Sequence, residues 1–342
     1  MPSVARRDGD KPPLARCITT RNIKNVNGSS LRADNAALTF LTLWCAATPA
    51  SAEPFIGQFE LKTLESAPGS YEFQSQNAWS WDQPLRRIAA GPDGPKFDEN
   101  AVVRQRHAIE LEMGLTQSVK MRVGAEFEKE RLDDPATILE ANDFEDLGLT
   151  ELGAEVIAIL APREGNGAGL GLVAELEGPI DQEESNNLTL GPVIEFKSGR
   201  WFAAAVPMFV YAFGGEKEEG EEIDNKWDFA YAAQASYTFS DTWVLAVEGY
   251  GTIDRLGNSG HPSASAELFG DFDQHRVGPV LYYSVGFDGS RSAAPSASGS
   301  AMLPVAGEEE EGATLTIGLG LLEGLNGNTP DHTLKLSIEI DF

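Results

Sequence analysis

Apolar and polar side chains alternate along the end of the chain, His332–Phe342. After His332 the even-numbered positions are Leu, Leu, Ile, Ile and Phe, and the odd-numbered positions are Thr, Lys, Ser, Glu and Asp. Successive side chains of a strand point to opposite faces, so this pattern predicts a strand with one apolar and one polar face. Its length of about ten residues is what a tilted strand needs to cross a bilayer.

The same alternation recurs in twelve segments separated by turn signals, and an even number of strands is typical of bacterial single-chain barrels. We therefore predict an all-β fold, a transmembrane antiparallel up-and-down β-barrel of about 12 strands. A soluble β-sandwich or propeller is the alternative. The segments are Tyr71–Trp81, Arg104–Leu115, Val119–Lys129, Glu151–Ala161, Gly169–Gly178, Leu188–Lys197, Trp201–Phe213, Trp227–Phe239, Trp243–Ile253, Arg276–Phe287, Ala313–Leu322 and His332–Phe342.

The links between these segments alternate in length. Thr116–Ser118, Ser198–Arg200 and Ser240–Thr242 are tight turns, and most of the links between them are longer and polar. Short turns on the periplasmic side and long loops outside are the outer-membrane pattern. Asp288–Gly312 breaks the rule, and we interpret residues 288–312 as a flexible insertion.

The tight turns also predict strand register, because a slip by one residue would exchange the two faces of a strand. Matching apolar with apolar and polar with polar positions pairs Glu112 with Arg122, Phe196 with Phe202, and Gln234 with Glu248.

Two Gly-Pro dipeptides, Gly191-Pro192 and Gly278-Pro279, fall inside strand patterns. Proline has no amide hydrogen to donate, so each should mark a bulge or a lost ladder bond.

The N-terminus is typical of an export signal. Ala36–Ala47 is a short apolar core, and Ala50–Ala52 is a small-residue cleavage site. We predict an extension plus signal peptide over 1–52, a periplasmic lead-in over 53–69 that includes a plug-like segment or brief strand, and a barrel over 70–342. A tail plus a buried helix is the alternative for 1–52.

The chain carries 26 Lys and Arg against 53 Asp and Glu, a net charge of −27. Such acidity argues against nucleic-acid binding. If the apolar face points outward, the charged residues line the interior, where acids outnumber bases by about two to one. Acidic rings repel anions, whereas paired charges would instead fill a closed barrel. The predicted lumen-lining residues are Glu110, Glu112, Lys120, Arg122, Glu126, Glu175, Glu195, Gln234, Glu248, Arg276, Lys335 and Glu339.

A second acidic group lies in the loop between Gly214 and Lys226. Carboxylate oxygens are ligands for Ca²⁺ or Mg²⁺, but the loop lacks EF-hand spacing, and a solvated loop beside lipopolysaccharide is the simpler interpretation. No cofactor is expected. The weak metal candidates are Glu218, Glu219, Glu221, Glu222 and Asp224.

The C-terminal strand resembles the closing strand of bacterial outer-membrane barrels, which typically ends in Phe. Glu72–Trp79, Gly278–Tyr283 and Thr329–Leu336 also resemble a family of outer-membrane channels named after the meta-cleavage pathway of phenol degradation. The resemblance implies a 12-stranded barrel that passes small, including aromatic, solutes, and it supplies no catalytic residues.

We therefore expect a non-enzymatic passive channel for small neutral or cationic solutes in a Gram-negative outer membrane. Its expected partners are the bilayer, lipopolysaccharide, and the barrel-assembly machinery through Phe342. A structural or adhesive barrel is one alternative. A lipid A or phospholipid hydrolase at the rim, using His261 and Ser263, is another.

Overall fold

The computed structural model describes residues 62–86, 88–91, 94–97, 102–132, 135–163, 165–180, 185–214, 226–253, 256, 273–287 and 313–342. All of them belong to the compact unit Ala46–Phe342. They form fourteen strands: β1 (Tyr71–Trp81), β2 (Ile88–Gly91), β3 (Gly94–Phe97), β4 (Val103–Thr116), β5 (Val119–Glu130), β6 (Gly148–Ala161), β7 (Gly167–Pro179), β8 (Asn186–Ser198), β9 (Trp201–Phe213), β10 (Lys226–Ser240), β11 (Trp243–Ile253), β12 (Gln274–Phe287), β13 (Ala313–Gly324) and β14 (His332–Asp341).

Twelve of these strands close into one antiparallel barrel, and β2 and β3 form a separate hairpin in the link between β1 and β4. Neighbouring barrel strands follow one another in the chain, and β1 closes the ring by pairing with β14. At this seam the amide of Tyr71 donates to the carbonyl of Phe342, and the amide of Phe342 donates back, at 3.1 and 2.9 Å. The predicted fold class is confirmed, and every predicted strand is present. The β2–β3 hairpin was not predicted.

The two faces of the barrel wall differ in chemistry. Leu, Ile and Val side chains in the middle of the strands are exposed on the outer face, and the inner face is largely buried. Aromatic pairs stand at both rims. Tyr71 stacks on Phe342 at 6.1 Å at the end that carries the tight turns, and Tyr211 lies 4.7 Å from Trp227 at the opposite end. An apolar band between aromatic girdles is the outer surface of barrels that face lipid. Within the described part of the chain, no helix is long and apolar enough to span a membrane.

Two of the three register predictions are confirmed. Glu112 pairs with Arg122 and Gln234 with Glu248. The third was wrong by one residue, because Phe202 pairs with Lys197.

The error has two physical causes. The β8–β9 turn uses only Gly199 and Arg200 as its loop, with Gly199 at φ +60°, a backbone conformation that glycine adopts readily. In addition, β9 is apolar on both faces, so alternation does not fix its register. Phe202 therefore points inward and packs against the buried cluster inside the barrel.

The Gly-Pro dipeptides interrupt the ladder as predicted. In the described pairing between β8 and β9, partners end at Leu190 and resume at Ile194. Between β12 and β13 they end at Val277 and resume at Val280. Each strand keeps continuous partners on its other side, so the interruption is local.

The glycines of these dipeptides face a close backbone approach. A Cβ on Gly191 would collide with the carbonyl oxygen of Pro207, and one on Gly278 with that of Leu321. Glycine is needed because no side-chain movement relieves a collision with backbone.

Several predictions fall outside the described residues. They are the signal peptide and the first part of the lead-in (1–61), the insertion 288–312, the acidic loop residues Glu218 to Asp224, and His261 with Ser263.

Candidate functional site in the barrel interior

The described part of the lead-in, residues 62–69, runs inside the barrel at the end that carries the tight turns, here called the turn end. It forms no strand. Where it meets the rim, the amide of Gly69 donates to the carbonyl of Gly114 at 2.7 Å, and Ser66 Oγ donates to the carbonyl of Thr116 at 2.8 Å. The two interpretations, plug-like segment or brief strand, concern Phe59 to Leu64, and of that stretch only residues 62–64 are described. Residues 62–69 are here called the plug.

Lys62 holds the far end of this plug. Its ammonium forms ion pairs with Glu155 and, at 3.2 Å, with Glu175 on the inner wall. Burial disfavours the ammonium, but these carboxylates outweigh that effect and raise the pKa of Lys62 above its ordinary value. Lys62 is therefore charged, and it neutralises carboxylates that would otherwise be buried together.

Glu195 binds the plug from a second strand. One carboxylate oxygen accepts the backbone amide of Leu64 at 2.7 Å, and the other accepts Arg163 Nε at 3.1 Å. Arg163 also reaches Glu65 of the plug at 2.8 Å. A single buried carboxylate thus binds both the plug backbone and the arginine that clamps the plug side chain.

The side chain of Leu64 fills a space left by two glycines. A Cβ on either Gly169 or Gly171 would meet its methyl groups. Leu64 belongs to a buried apolar cluster that includes Ile157 and Val173 and extends across the interior to β13. Leu64 thus joins the plug to the apolar part of the interior.

Beside the plug, two cations share one carboxylate. Lys120 Nζ donates to Glu112 at 2.8 Å, and Arg122 Nη2 donates to its other oxygen at 2.7 Å. Lys120 also donates to Thr63 of the plug at 2.9 Å. Buried charges are tolerated when paired and hydrogen-bonded in this way.

A second buried group is centred on Glu248. Its carboxylate accepts Gln234 Nε2 at 2.9 Å, Lys335 Nζ at 2.7 Å and the hydroxyls of Tyr250 and Tyr282. Four donors around one carboxylate satisfy its lone pairs without water, so this group is a packed part of the interior.

The opposite end of the barrel is here called the loop end. A cavity of about 360 Å³ lies there, lined by residues of β1, β4, β5, and β9 to β12. Arg106, beside it, forms an ion pair with Glu128. Arg276 donates to Thr333 Oγ1 at 3.2 Å and to Gln274 Oε1 at 2.7 Å. In the described interior, the plug lies at the turn end and this cavity lies at the loop end.

Among the described residues, two groups of carboxylates have oxygens within 4.8 Å of one another and offer cation-ligand geometry. One is Glu126, Glu151 and Glu177 on the inner wall, and the other is Glu72, Glu339 and Asp341 at the turn-end rim.

All twelve residues expected to line the lumen are in described strands. Glu110, Glu126 and Glu175 are half-buried, and the other nine are buried. The structure brings Glu112, Lys120 and Arg122 into one group and Gln234, Glu248 and Lys335 into another. Sequence reasoning missed the interior partners Lys62, Arg163, Tyr250 and Tyr282. The two tyrosines occupy polar-face positions of their strands, a signal that a charge-only search overlooks.

The interior and the wall together define a class: a closed antiparallel β-barrel with an apolar outer surface, a hydrogen-bonded charged interior, and a segment of its own chain inside. No protein-family model and no curated protein matches the sequence. The named family resemblance is therefore not confirmed.

Solved structures with a similar fold are barrels of low sequence identity. They include the NanC porin (6% identity, TM-score 0.43, covering 79% of this chain and 98% of that one). An outer membrane channel from Pseudomonas putida F1 has 12% identity and TM-score 0.48, over 85% and 98%. The translocator domain of the autotransporter NalP from Neisseria meningitidis has 8% identity and TM-score 0.40, over 91% and 96%. At these values the neighbours assign no function to this chain.

Proposed function

We propose that this protein is a passive outer-membrane channel for small solutes whose turn end is narrowed by its own plug, residues 62–69. The observation that carries the proposal is the combination of an apolar outer wall with a polar, charged interior that contains a cavity of about 360 Å³. A water-excluding structural barrel has no need of so many interior ionic groups, because apolar side chains fill such a space at lower desolvation cost.

The plug is held in a way that allows it to leave. In the described segment it is fixed by side-chain ion pairs and a few single hydrogen bonds, such as Lys62 with Glu155 and Leu64 with Glu195, whereas the wall is held by continuous ladders. Local opening in proteins begins where few backbone hydrogen bonds must break together. Loss of the plug contacts therefore opens the turn end without opening the barrel.

The sequence-based preference for neutral or cationic solutes does not follow from these contacts. It rested on the excess of acidic residues, yet Glu112, Glu155, Glu175, Glu195 and Glu248 each contact a lysine or arginine. At these five positions a passing solute meets ion pairs rather than carboxylates alone. Charge selectivity has to be argued from the residues that line the open cavity.

The remaining expectations follow from the proposed location in the outer membrane. We infer export by the signal in 1–52, short turns toward the periplasm, polar loops beside lipopolysaccharide, and recognition of the strand ending in Phe342 by the barrel-assembly machinery. The aromatic pairs at both rims support a position across a bilayer.

Conductance in planar bilayers tests the channel and its plug together. The double variant Lys62→Met, Leu64→Ser removes the ion pairs and the apolar anchor of the plug. We expect it to show larger or longer openings than the wild-type chain. Lys129→Met, a lysine of β5 away from the plug, serves as the matched control and should conduct like the wild type.

The absence of single-channel steps from both the wild type and the double variant would overturn the channel proposal and favour a non-transporting structural barrel. Equal conductance of the wild type and the double variant would be consistent with a channel but would contradict a role of the plug in narrowing it.

A further inference from the structure

The inner face of the seam between β1 and β14 carries two adjacent cross-strand pairs of oxygen-bearing side chains. Glu72 lies opposite Asp341, and Gln74 lies opposite Glu339. Side chains two positions apart on a strand share one face, and Gln74 and Glu339 are buried, so all four belong to the inner face. The first and last strands of the barrel therefore meet through these four side chains at the turn end.

Three carboxylates of this group lie close together. Oxygens of Glu72, Glu339 and Asp341 are within 4.8 Å of one another. In the described part of the chain, no lysine or arginine forms an ion pair with Glu72 or Glu339. The charge of Lys120 reaches Glu72 from β5, but its ammonium donates to Glu112 instead. Carboxylates gathered in this way repel one another and resist burial unless a positive charge joins them.

Two oxygens of this group are buried and have no hydrogen-bond partner among the described residues. They are Oε1 of Gln74, whose side chain is 0% exposed, and Oε2 of Glu339, which is 9% exposed. Gln74 Nε2 donates to Glu72, and the nitrogen and oxygen of an amide share one carbon, so Oε1 lies beside the same carboxylate. Buried oxygens without partners are costly, and a cation placed among them satisfies several at once.

The kinds of ligand and their spacing suit Ca²⁺. This ion binds roughly six to eight carboxylate, amide and water oxygens in a flexible arrangement, at about 2.4 Å. Two oxygens on one Ca²⁺ are therefore at most about 4.8 Å apart, and the three carboxylates meet that limit. Each carboxylate can bind through one or both oxygens, and the Gln74 amide oxygen adds a neutral ligand.

From these contacts we propose that Glu72, Gln74, Glu339 and Asp341 form a Ca²⁺ site that joins the two terminal strands of the barrel. The ion supplies the positive charge that the carboxylates require. Its ligands come from both ends of the barrel sequence, so the site is complete only when the barrel has closed, and binding favours the closed state. This inference goes beyond the channel function and holds whether or not the barrel conducts.

Ca²⁺ binding can be measured on the full chain in a nonionic detergent, by equilibrium dialysis against radioactive Ca²⁺. Glu339→Gln and Asp341→Asn each remove one anionic ligand and should each weaken binding by about tenfold or more. At a Ca²⁺ concentration that just saturates the wild type, both variants should hold less of the ion. Glu323→Gln, which replaces an exposed carboxylate paired with His332, is the control and should bind like the wild type.

Stability separates an ion site from a merely structural role of the same side chains. Ca²⁺ should raise the urea midpoint of the wild type above its value in EDTA, because the ion binds only the closed barrel. Glu339→Gln should lose this rise. In EDTA the same variant should be at least as stable as the wild type, because it relieves repulsion among three carboxylates. A side chain with only a structural role would lower the midpoint equally in both solutions.

Equal Ca²⁺ binding by the wild type, Glu339→Gln and Asp341→Asn would overturn the inference. An equal rise of the urea midpoint with Ca²⁺ in the wild type and in both seam variants would also overturn it. Loss of that rise in Glu177→Gln, but in neither seam variant, would place the ion at the other carboxylate group and refute the seam site.

Discussion

Glu248 shows how one side chain determines the state of its neighbours. It is fully buried and accepts hydrogen bonds from Gln234, Tyr250, Tyr282 and Lys335. The Lys335 ammonium is also buried, and its ring contact with Tyr250 at 5.4 Å does not replace an anion. Loss of the Glu248 charge would leave this cation uncompensated inside the barrel.

Glu248→Gln should therefore lower the free energy of unfolding by about 3 kcal/mol, the cost of removing one partner of a buried ion pair. Urea titration of the barrel in detergent, followed by heat-modifiable gel mobility, measures the change. Glu323→Gln is the control, because Glu323 and its partner His332 are both exposed and their pair contributes little. Equal losses in the two variants would contradict the central role of Glu248.

The limits of sequence reasoning at this scale are visible in single residues. Alternation placed Glu112 and Arg122 on one face and in register, so their ion pair was accessible from the sequence. The ion pairs of Lys62 were not accessible from the sequence, because Lys62 lies in no periodic segment. Its carboxylate partners stand about a hundred positions away in the chain. Ion pairs between a non-periodic segment and a wall depend on how the segment folds, which no local pattern encodes.

At the scale of elements, strand positions followed from period-2 alternation, and register followed only where the two faces differ in polarity. In β9 they do not differ, and Phe202 was placed on the wrong face. The β2–β3 hairpin is short and lies in a link rich in Gly and Pro, so no alternation identified it. The barrel itself could be predicted, because period-2 alternation and tight turns are local properties of the sequence.

The Gly-Pro interruptions give a prediction at this scale. Gly278→Ala places a methyl group against the backbone carbonyl of Leu321, and relief requires a shift of the facing strand β13. We expect a loss of about 1–3 kcal/mol in the free energy of unfolding, typical of overpacking. Gly249→Ala is the matched strand control, because the nearest atoms to its Cβ, at 3.8 Å or more, are at ordinary contact distance. Equal stability of the two variants in urea titration would remove the packing argument.

For the whole molecule, the apolar outer wall determines whether the barrel is stable in lipid. Leu319 is exposed in the middle of β13, and Leu325 is exposed just beyond the end of that strand. If the wall faces lipid, an arginine in place of Leu319 lies in hydrocarbon, and an arginine in place of Leu325 reaches the interface.

Leu319→Arg should thus cost about 2–4 kcal/mol in folding into lipid vesicles, and Leu325→Arg about 0–1 kcal/mol. Folding yield in vesicles, followed by the gel shift of the closed barrel, measures the difference. Equal yields for the two arginine variants would place the wall outside a bilayer and contradict the proposed location.

The seam between Tyr71 and Phe342 has a mechanical consequence. The chain reaches Lys62 before it enters β1, so tension on the chain ahead of Lys62 loads the ion pairs with Glu155 and Glu175 first and the seam afterwards. The Lys62 ion pairs and the β1–β14 seam therefore bear tension one after the other. A few side-chain contacts yield at lower force than a ladder that runs the length of β1, so tension on the chain ahead of Lys62 releases the plug before it opens the barrel wall.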